Sequence, residues 1–391
     1  MTRPKTYEKI FFLACLFLLF ASGASAADPA ADEKKLQISG YYKNIFFHSQ
    51  SLYSDENITA DTQRLRLEFQ KPLSPAWQFY ATLDNEMIVH DFFSTGDFDA
   101  VRLKTQQKAA AIDADKVSVD DSHLYLKHSV HRFFLKYYSD KFQAVVGKQA
   151  IDWGRMRFFS PLDIFNPPAA TDIENDERVG TDAVNLNYAF SPLSGANLVV
   201  APGKNDETDA FGLKLYKTIF TYDCSLIAAL DHEDKIFGAS FDGYLGKAGF
   251  RGEITHTALD NGRVFPRAAF GLDYNFSPKV YALVEQFYNG GADDNHPFAL
   301  LSSWQANRQI LSLQKVLTGA MVQYKVTALL EANQYVIYDW HKKSVVYNPE
   351  LKYNVKQNLD ISVGAQLFWG EAGSEFGDFQ HLQYVMVKWY F

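Results

Sequence analysis

Apolar and polar residues alternate along most of this chain from Leu36 onward. In the segment 77–84, the odd-numbered positions hold Trp, Phe, Ala and Leu, and the even-numbered positions hold Gln, Tyr, Thr and Asp. Successive side chains of a strand point to opposite faces, so this period predicts strands with one apolar face and one polar face. Further segments with the same period are 64–69, 268–276 and 359–369.

The links between these predicted strands are alternately short and long. The short links lie at 71–75, 139–141, 191–195, 218–221, 246–247, 277–278, 326–328 and 354–358. The long links lie at 49–60, 88–121, 151–181, 203–208, 231–235, 258–265, 290–317, 339–344 and 370–381. Eight short and nine long links separate eighteen strands. An even number of strands places both chain ends on the side of the short links.

A membrane accounts for this regular alternation of links. Within hydrocarbon every backbone N–H and C=O must pair inside the protein, so a β-sheet there closes into a barrel without a free edge. Strands of about 9–11 residues cross the bilayer, with short turns on one side and long loops on the other. The predicted fold is therefore all-β, a transmembrane antiparallel up-and-down barrel of about 18 strands, with 16 as the other count. A secreted soluble all-β protein is the alternative.

The first residues predict a cleaved signal peptide. A basic start is followed by an apolar stretch at 10–21 and by the small residues Ala24, Ser25 and Ala26, which is typical of a secretory leader. The predicted organisation is a signal peptide over 1–26, a short periplasmic segment over 27–35 and a barrel over 36–391. Cleavage leaves Cys224 as the one cysteine of the sequence, so no internal disulfide is expected.

Composition agrees with this class and excludes others. The chain has 391 residues, 47% of them hydrophobic and 15% aromatic, so it has ample apolar surface to bury and is not expected to be disordered. Its formal charge is −8, and a nucleic-acid partner, which would require a basic stripe, is not expected. After residue 30 no apolar run approaches the roughly 18 residues of a membrane helix.

The last strand predicts the destination of the protein. In the segment 383–391, Val385, Val387, Trp389 and Phe391 share one face. The segment, with Tyr384, Trp389 and Phe391 as its aromatic residues, resembles the terminal targeting strand of Gram-negative outer-membrane proteins. The resemblance implies the Gram-negative outer membrane, contact with its lipid and lipopolysaccharide, and the barrel-assembly machinery as a partner during insertion.

The polar face of the predicted strands carries both signs of charge. The residues of this face that we expect in the pore are Arg64, Arg66, Glu68, Asp84, Arg251 and Glu253. A ring of one sign would predict an ion-selective pore, so the mixture predicts weak selectivity. Alternatively, the basic and acidic side chains brace the wall as pairs. Eighteen strands enclose more space than side chains fill, which predicts an aqueous channel.

The long link 151–181 is the predicted constriction. Gly147 and Gly154 permit a bend as the strand ends, and Pro167 and Pro168 stiffen the chain. We expect the link to fold inward, with Arg155 and Arg157 facing Asp152 and Asp163 across a narrowed pore. A lid outside the barrel is the alternative. The candidate constriction residues are Lys148, Asp152, Trp153, Arg155, Arg157 and Asp163.

The residues around this link also carry a family resemblance. Gly147-Lys148-Gln149 followed by Trp153-Gly154 and by Asp163, Asn166 and Pro167 resembles the G-[KR]-Q-x-x-x-W-G…D-x-x-N-P pattern of a porin-like group of Gram-negative outer-membrane proteins. Its layout is similar to the alginate-export and phosphate-selective porin families. The resemblance implies a barrel that passes solutes or exports a polymer or lipid.

These observations together predict a passive, weakly selective channel for small hydrophilic solutes. The alternative is a dedicated export conduit for a polysaccharide or lipid that acts with a periplasmic partner. An enzyme is not expected, because His128 and His131, three residues apart on one strand, point to opposite faces. No cofactor or metal is expected, and a homo-oligomer is left open.

Overall fold

Nineteen antiparallel strands form one closed sheet in this protein. The computed structural model describes residues 35–90, 97, 111–112, 114–121, 123–166, 180–203, 209–292, 312 and 314–391. The predicted signal peptide lies outside these residues, and so does most of the short segment predicted after it. Eighteen of the strands follow one another around a ring, and β1 pairs with β19 to close it. The predicted all-β barrel of 18 strands is thus confirmed.

The strands are long, and each neighbouring pair is antiparallel. Their bounds are β1 Gln37–Gln50, β2 Asn57–Ser74, β3 Trp77–His90, β4 Lys116–Asp120, β5 Leu124–Tyr138, β6 Phe142–Gln149, β7 Thr181–Ser191, β8 Ser194–Ala201, β9 Ala210–Ile219, β10 Tyr222–Asp231, β11 Asp234–Leu245, β12 Ala248–Ala258, β13 Val264–Ser277, β14 Val280–Asn289, β15 Val316–Lys325, β16 Leu330–Asp339, β17 Val345–Lys356, β18 Leu359–Trp369 and β19 Leu382–Tyr390. All eight predicted short links coincide with the turns between these strands.

The two faces of the strands differ as the alternation predicts. On β13, Phe270, Leu272 and Phe276 are exposed on one face, whereas Arg267 and Ala269 on the other face are buried. Exposed apolar side chains of this kind are found on strands all around the barrel. Among the described residues no helix is long and apolar enough to cross a membrane.

The short strand β4 was not predicted. It lies within the predicted link 88–121 and pairs with β5 through Lys116↔His128 and Asp120↔Tyr125. β6 pairs only with Phe133–Tyr138 of β5, so the remaining edge of β5 would keep unpaired backbone groups without β4. A second difference concerns the link 231–235, which is a turn of only two residues, because Asp231 pairs with Asp234.

The two ends of the described chain meet at the seam of the barrel. β1 and β19 pair from Tyr41↔Tyr390 to Ser49↔Leu382, and Gly40 and Phe391 exchange two backbone hydrogen bonds of 3.0 Å. On β19, Trp389 and Phe391 are exposed on the outer face. Tyr384 is buried on the inner face and donates its hydroxyl to Glu350 at 3.2 Å.

Candidate functional site

Residues 151–166, which we call the inner segment, lie within the barrel. They contact side chains on strands that are far apart around the ring. Trp153 Nε1 donates to Asn197 of β8 at 2.8 Å, and Arg157 donates to Tyr335 of β16 at 3.3 Å. Strands β8 to β16 curve around half of the ring, so a 16-residue segment that reaches both of them crosses the interior. For residues 151–166 of the predicted link 151–181 this path agrees with inward folding and not with an outer lid, while residues 167–179 lie outside the described part of the chain.

The inner segment is amphipathic. Its apolar side chains pack against the wall in two clusters, one around Trp153 and Leu162 and one around Phe158 and Phe159. Trp153 packs edge-on against Phe165 at 4.9 Å, and Phe159 stacks on Phe287 of β14 at 5.0 Å. The polar side chains between them, Asp152, Arg155 and Arg157, are exposed. Burial of the apolar side therefore holds the charged side toward the lumen.

The carboxylate of Glu253 on β12 is the main polar anchor of this segment. It accepts hydrogen bonds from the backbone N–H groups of Arg155, Met156 at 3.2 Å and Leu162 at 3.0 Å. The hydroxyl of Ser160 donates to it at 2.8 Å. These charge-assisted bonds satisfy a glutamate of which only 2% is exposed.

Glu285 on β14 is a second anchor. Its carboxylate accepts hydrogen bonds from the N–H groups of Arg157, at 2.8 Å, and Phe158, at 2.9 Å. Its inward neighbours Leu283 and Phe287 are both buried. The two glutamates together fix the backbone from residue 155 to 162, because each binds N–H groups that no strand pairs.

The residues of the sequence pattern connect the inner segment to the wall. Gln149 donates to the carbonyl groups of Val145 and Ala183, each at 3.0 Å. Asn166 accepts from Ile151 N–H at 2.9 Å and donates to Thr181 at 3.0 Å. The bond between Asn166 and Ile151 joins the end of the segment to its start, so residues of the pattern have a structural role in holding the inner segment.

Gly154 permits a close approach inside the segment. A Cβ at this position would collide with the side chain of Ser160. Ser160 in turn binds Glu253. A larger residue at position 154 would therefore displace a group that anchors the segment.

Basic side chains dominate the lumenal side of the segment. Arg155 and Arg157 are exposed there, and Arg157 also lies over the ring of Tyr335 at 5.7 Å. Arg251 on β12 joins them, with one nitrogen 3.5 Å from the carbonyl of Arg155 and another ion-paired to Asp273. Asp152 is the acidic member of this surface.

The inner faces of β2 and β3 carry buried ion pairs. Arg66 forms a bidentate pair with Asp84 at 2.6 and 2.5 Å, and Arg64 donates to Glu86 at 2.8 Å. Glu68 lies across from Thr82 in the same sheet. Arg64 and Arg66 thus pair as the bracing interpretation predicts.

Three candidate constriction residues have structural positions instead. Trp153 is 3% exposed and Asp163 is 2% exposed, so neither side chain faces the pore. Both are buried because the apolar side of the segment packs against the wall. Lys148 lies 3.8 Å from Asp182, which also accepts a hydrogen bond from Ile112 N–H. The expected facing of Arg155 and Arg157 by Asp163 is therefore wrong.

Several partners of the inner segment were not among the candidates. They are Asn197, Tyr335 and, as an anchor, Glu285. One sequence signal indicates Glu285: on β14 the inward positions Leu283 and Phe287 are apolar on both sides of it. An apolar inward stripe beside a water-filled space predicts that something covers it.

Comparisons with known proteins agree on the fold. No family model and no curated protein matches the chain, so the resemblance to the porin-like group stays a prediction. The structure of the Pseudomonas aeruginosa outer membrane protein opdK is similar, with a TM-score of 0.57, 7% identity and coverage of 91% of this chain and 98% of that one. The structure of Acinetobacter baumannii OccAB3 has a TM-score of 0.54 and 10% identity, with coverage of 91% of this chain and 99% of that one. A triple mutant of the Rhodopseudomonas blastica porin has a TM-score of 0.48 and 11% identity, with coverage of 91% of this chain and 100% of that one.

Proposed function

We propose that this protein is an outer-membrane channel through which small hydrophilic solutes pass passively and with weak selectivity. The observation that carries the proposal is the inner segment, which lies inside an 18-strand barrel and exposes Asp152, Arg155 and Arg157. A barrel of 16–18 strands leaves an aqueous channel unless a plug fills it. The inner segment narrows that channel.

The exposed apolar outer face supports a membrane location. Leu226, Ile254 and Phe270 are each at least half exposed on neighbouring strands. Such a continuous apolar surface would be unfavourable in water. The exposed Trp340 and Trp369 at one rim and Trp389 at the other are typical of aromatic belts at two membrane interfaces. The similar protein opdK is itself an outer membrane protein.

The charges support weak selectivity with a preference for anions at the narrowest level. Arg155 and Arg157 are exposed, and Asp152 is the exposed carboxylate of the inner segment. Across the lumen, Arg64 and Arg66 are neutralised by Glu86 and Asp84. The local excess of positive charge is therefore small, and screening by salt reduces it further.

Conductance in planar lipid bilayers tests the proposal. The wild-type protein is compared with a variant in which residues 155–162 are replaced by a short Gly-Ser linker. We expect ion conductance from the wild type and a larger conductance from the variant. The matched control is a shortened link 259–263, which forms hydrogen bonds with Asp234, Gly291 and Ala292 and not with the inner segment. It should leave conductance unchanged. Absence of conductance in all forms rejects the channel.

A dedicated export conduit stays the alternative prediction. It differs from a passive channel in what crosses the barrel without a partner protein. Liposomes that contain the purified protein should swell in unrelated small sugars if the channel is passive. Failure of every small sugar to enter, with conductance retained after removal of the inner segment, would favour the conduit.

A further inference from the structure

The outer face of the barrel carries an apolar groove across β8 to β13. The groove has a volume of about 900 Å³. Exposed side chains on neighbouring strands form its walls, namely Leu215, Ile219, Leu226, Ile254 and Phe270. The groove is on the face opposite to the inner segment, and it is therefore separate from the channel.

Small residues on three adjacent strands form the floor of the groove. They are Cys224 on β10, Ala239 on β11 and Gly252 on β12. Cys224 and Gly252 both pair with Phe241, and Ala239 stands between Leu226 and Ile254 in the sheet. The rings of Phe241 and Phe270 lie over Gly252, so the outer surface dips at Cys224 and Ala239, which stand beside larger residues.

One cation borders the groove. Lys217 is exposed on β9, between Leu215 and Ile219 on the same outer face, and only two residues before the strand ends at a short turn. Of the residues that line the groove, the acidic one is Glu253, whose carboxylate binds the inner segment on the other face. Lys217 therefore has no competing carboxylate among the lining residues.

We infer that this groove binds one anionic phospholipid of the leaflet on the short-turn side. The inference rests on the proposed membrane location. An acyl chain would lie over Cys224 and Ala239, in van der Waals contact with the apolar side chains that form the walls of the groove. The phosphate would pair with the ammonium of Lys217, whose long apolar stem allows the charge to reach the headgroup level.

A second copy of the chain fits this surface less well. An isologous contact would place this patch against itself, and the patch offers Lys217 no carboxylate on the outer face. A concave groove with a single positive rim instead matches one chain and one phosphate. Charge complementarity therefore favours the lipid.

Native mass spectrometry of the full-length protein in detergent, titrated with phosphatidylglycerol, tests the inference. We expect one bound lipid on the wild type, and about fivefold weaker binding for Lys217→Gln, since one lysine at an anionic surface contributes on this scale. Ala239→Leu fills the floor and should weaken binding similarly. The matched controls are Lys325→Gln, at the same end of a strand but on the inner face, and Ala282→Leu, on the outer face of β14. Both controls should bind as the wild type does.

Alkylation of Cys224 gives an independent measurement. This thiol is free and half-buried in the groove floor. Phosphatidylglycerol should slow its reaction with a maleimide in the wild type, and the protection should be weaker in Lys217→Gln. Equal protection in both proteins, equal lipid binding by all variants, or a dimer that Ala239→Leu abolishes would overturn the inference. Conductance measured on the same preparations distinguishes failure of the lipid inference from failure of the proposed channel function. A protein that does not conduct but still binds the lipid rejects only the proposed function.

Discussion

Glu253 on β12 accepts a hydrogen bond from the backbone N–H of Leu162 at 3.0 Å. The two residues are 91 positions apart in the chain, and their contact places the inner segment against the wall. The same carboxylate binds Met156 and Ser160. One wall carboxylate thus holds the inner segment at both Met156 and Leu162.

Replacing Glu253 with glutamine should release the inner segment. The side-chain NH2 of glutamine would face hydrogen-bond donors at a place where a carboxylate oxygen now accepts hydrogen bonds. We expect this to cost about 2 kcal/mol or more of stability. We expect larger and noisier single-channel conductance together with a lower Tm. Glu331→Gln, an inward glutamate on β16, is the control and should change neither. A normal channel in Glu253→Gln would contradict the anchoring role.

Removing the exposed arginines should lower the preference for anions. In Arg155→Gln/Arg157→Gln, Asp152 becomes the exposed charge of the segment, and the ratio of chloride to potassium permeability should fall by roughly twofold at low salt. Reversal potentials in a salt gradient measure this ratio. Lys279→Gln, exposed at a short turn, removes a charge away from the segment and should have no effect. A ratio that is unchanged in the double variant means that other residues determine selectivity.

Breaking the pair between Arg66 and Asp84 should destabilise the barrel. Both side chains are 5% exposed, so Asp84→Asn leaves a buried guanidinium without its partner, at a cost of about 3 kcal/mol. Thermal unfolding in detergent measures the loss. The double variant Arg66→Met/Asp84→Leu should recover most of the stability, because it removes both charges. Equal destabilisation by the single and double variants would show that the pair is not coupled.

The aromatic end of β19 should matter for assembly. Phe391 exchanges backbone hydrogen bonds with Gly40 at the seam, and its ring packs on Trp389 at 5.4 Å. We expect Phe391→Ala to reduce the amount of folded barrel in outer-membrane fractions, assessed by heat-modifiable gel mobility. Gln383→Ala, at the other end of the same strand, is the control. Equal yields from both variants would argue against a targeting role for the terminal phenylalanine.

Alternation was sufficient to predict the wall of this protein. Trp77, Phe79 and Leu83 alternate because one face of β3 is apolar, and the short links follow from hairpins that join neighbouring strands. β4 has no such signal, since its five residues only complete an edge that β6 leaves open.

The path of the inner segment could be predicted only in part. Gly154 and Pro167 indicated a bend and a stiff segment, and Arg155 and Arg157 do face the lumen. The burial of Trp153 and Asp163 depends instead on which distant strands the segment reaches. Contacts such as Trp153 with Asn197 are set by barrel closure, and local periodicity does not contain that information.

The inner segment takes its side-chain hydrogen bonds from one half of the ring. Strands β8 to β16 serve as its foundation, through Asn197, Glu253, Glu285 and Tyr335. A solute in the proposed channel would therefore pass between the arginines of the inner segment on one side and the inner faces of β1 to β3 on the other. Substitutions on the inner faces of β1 to β3 should therefore change which solutes pass, while β8 to β16 keep their packing against the inner segment.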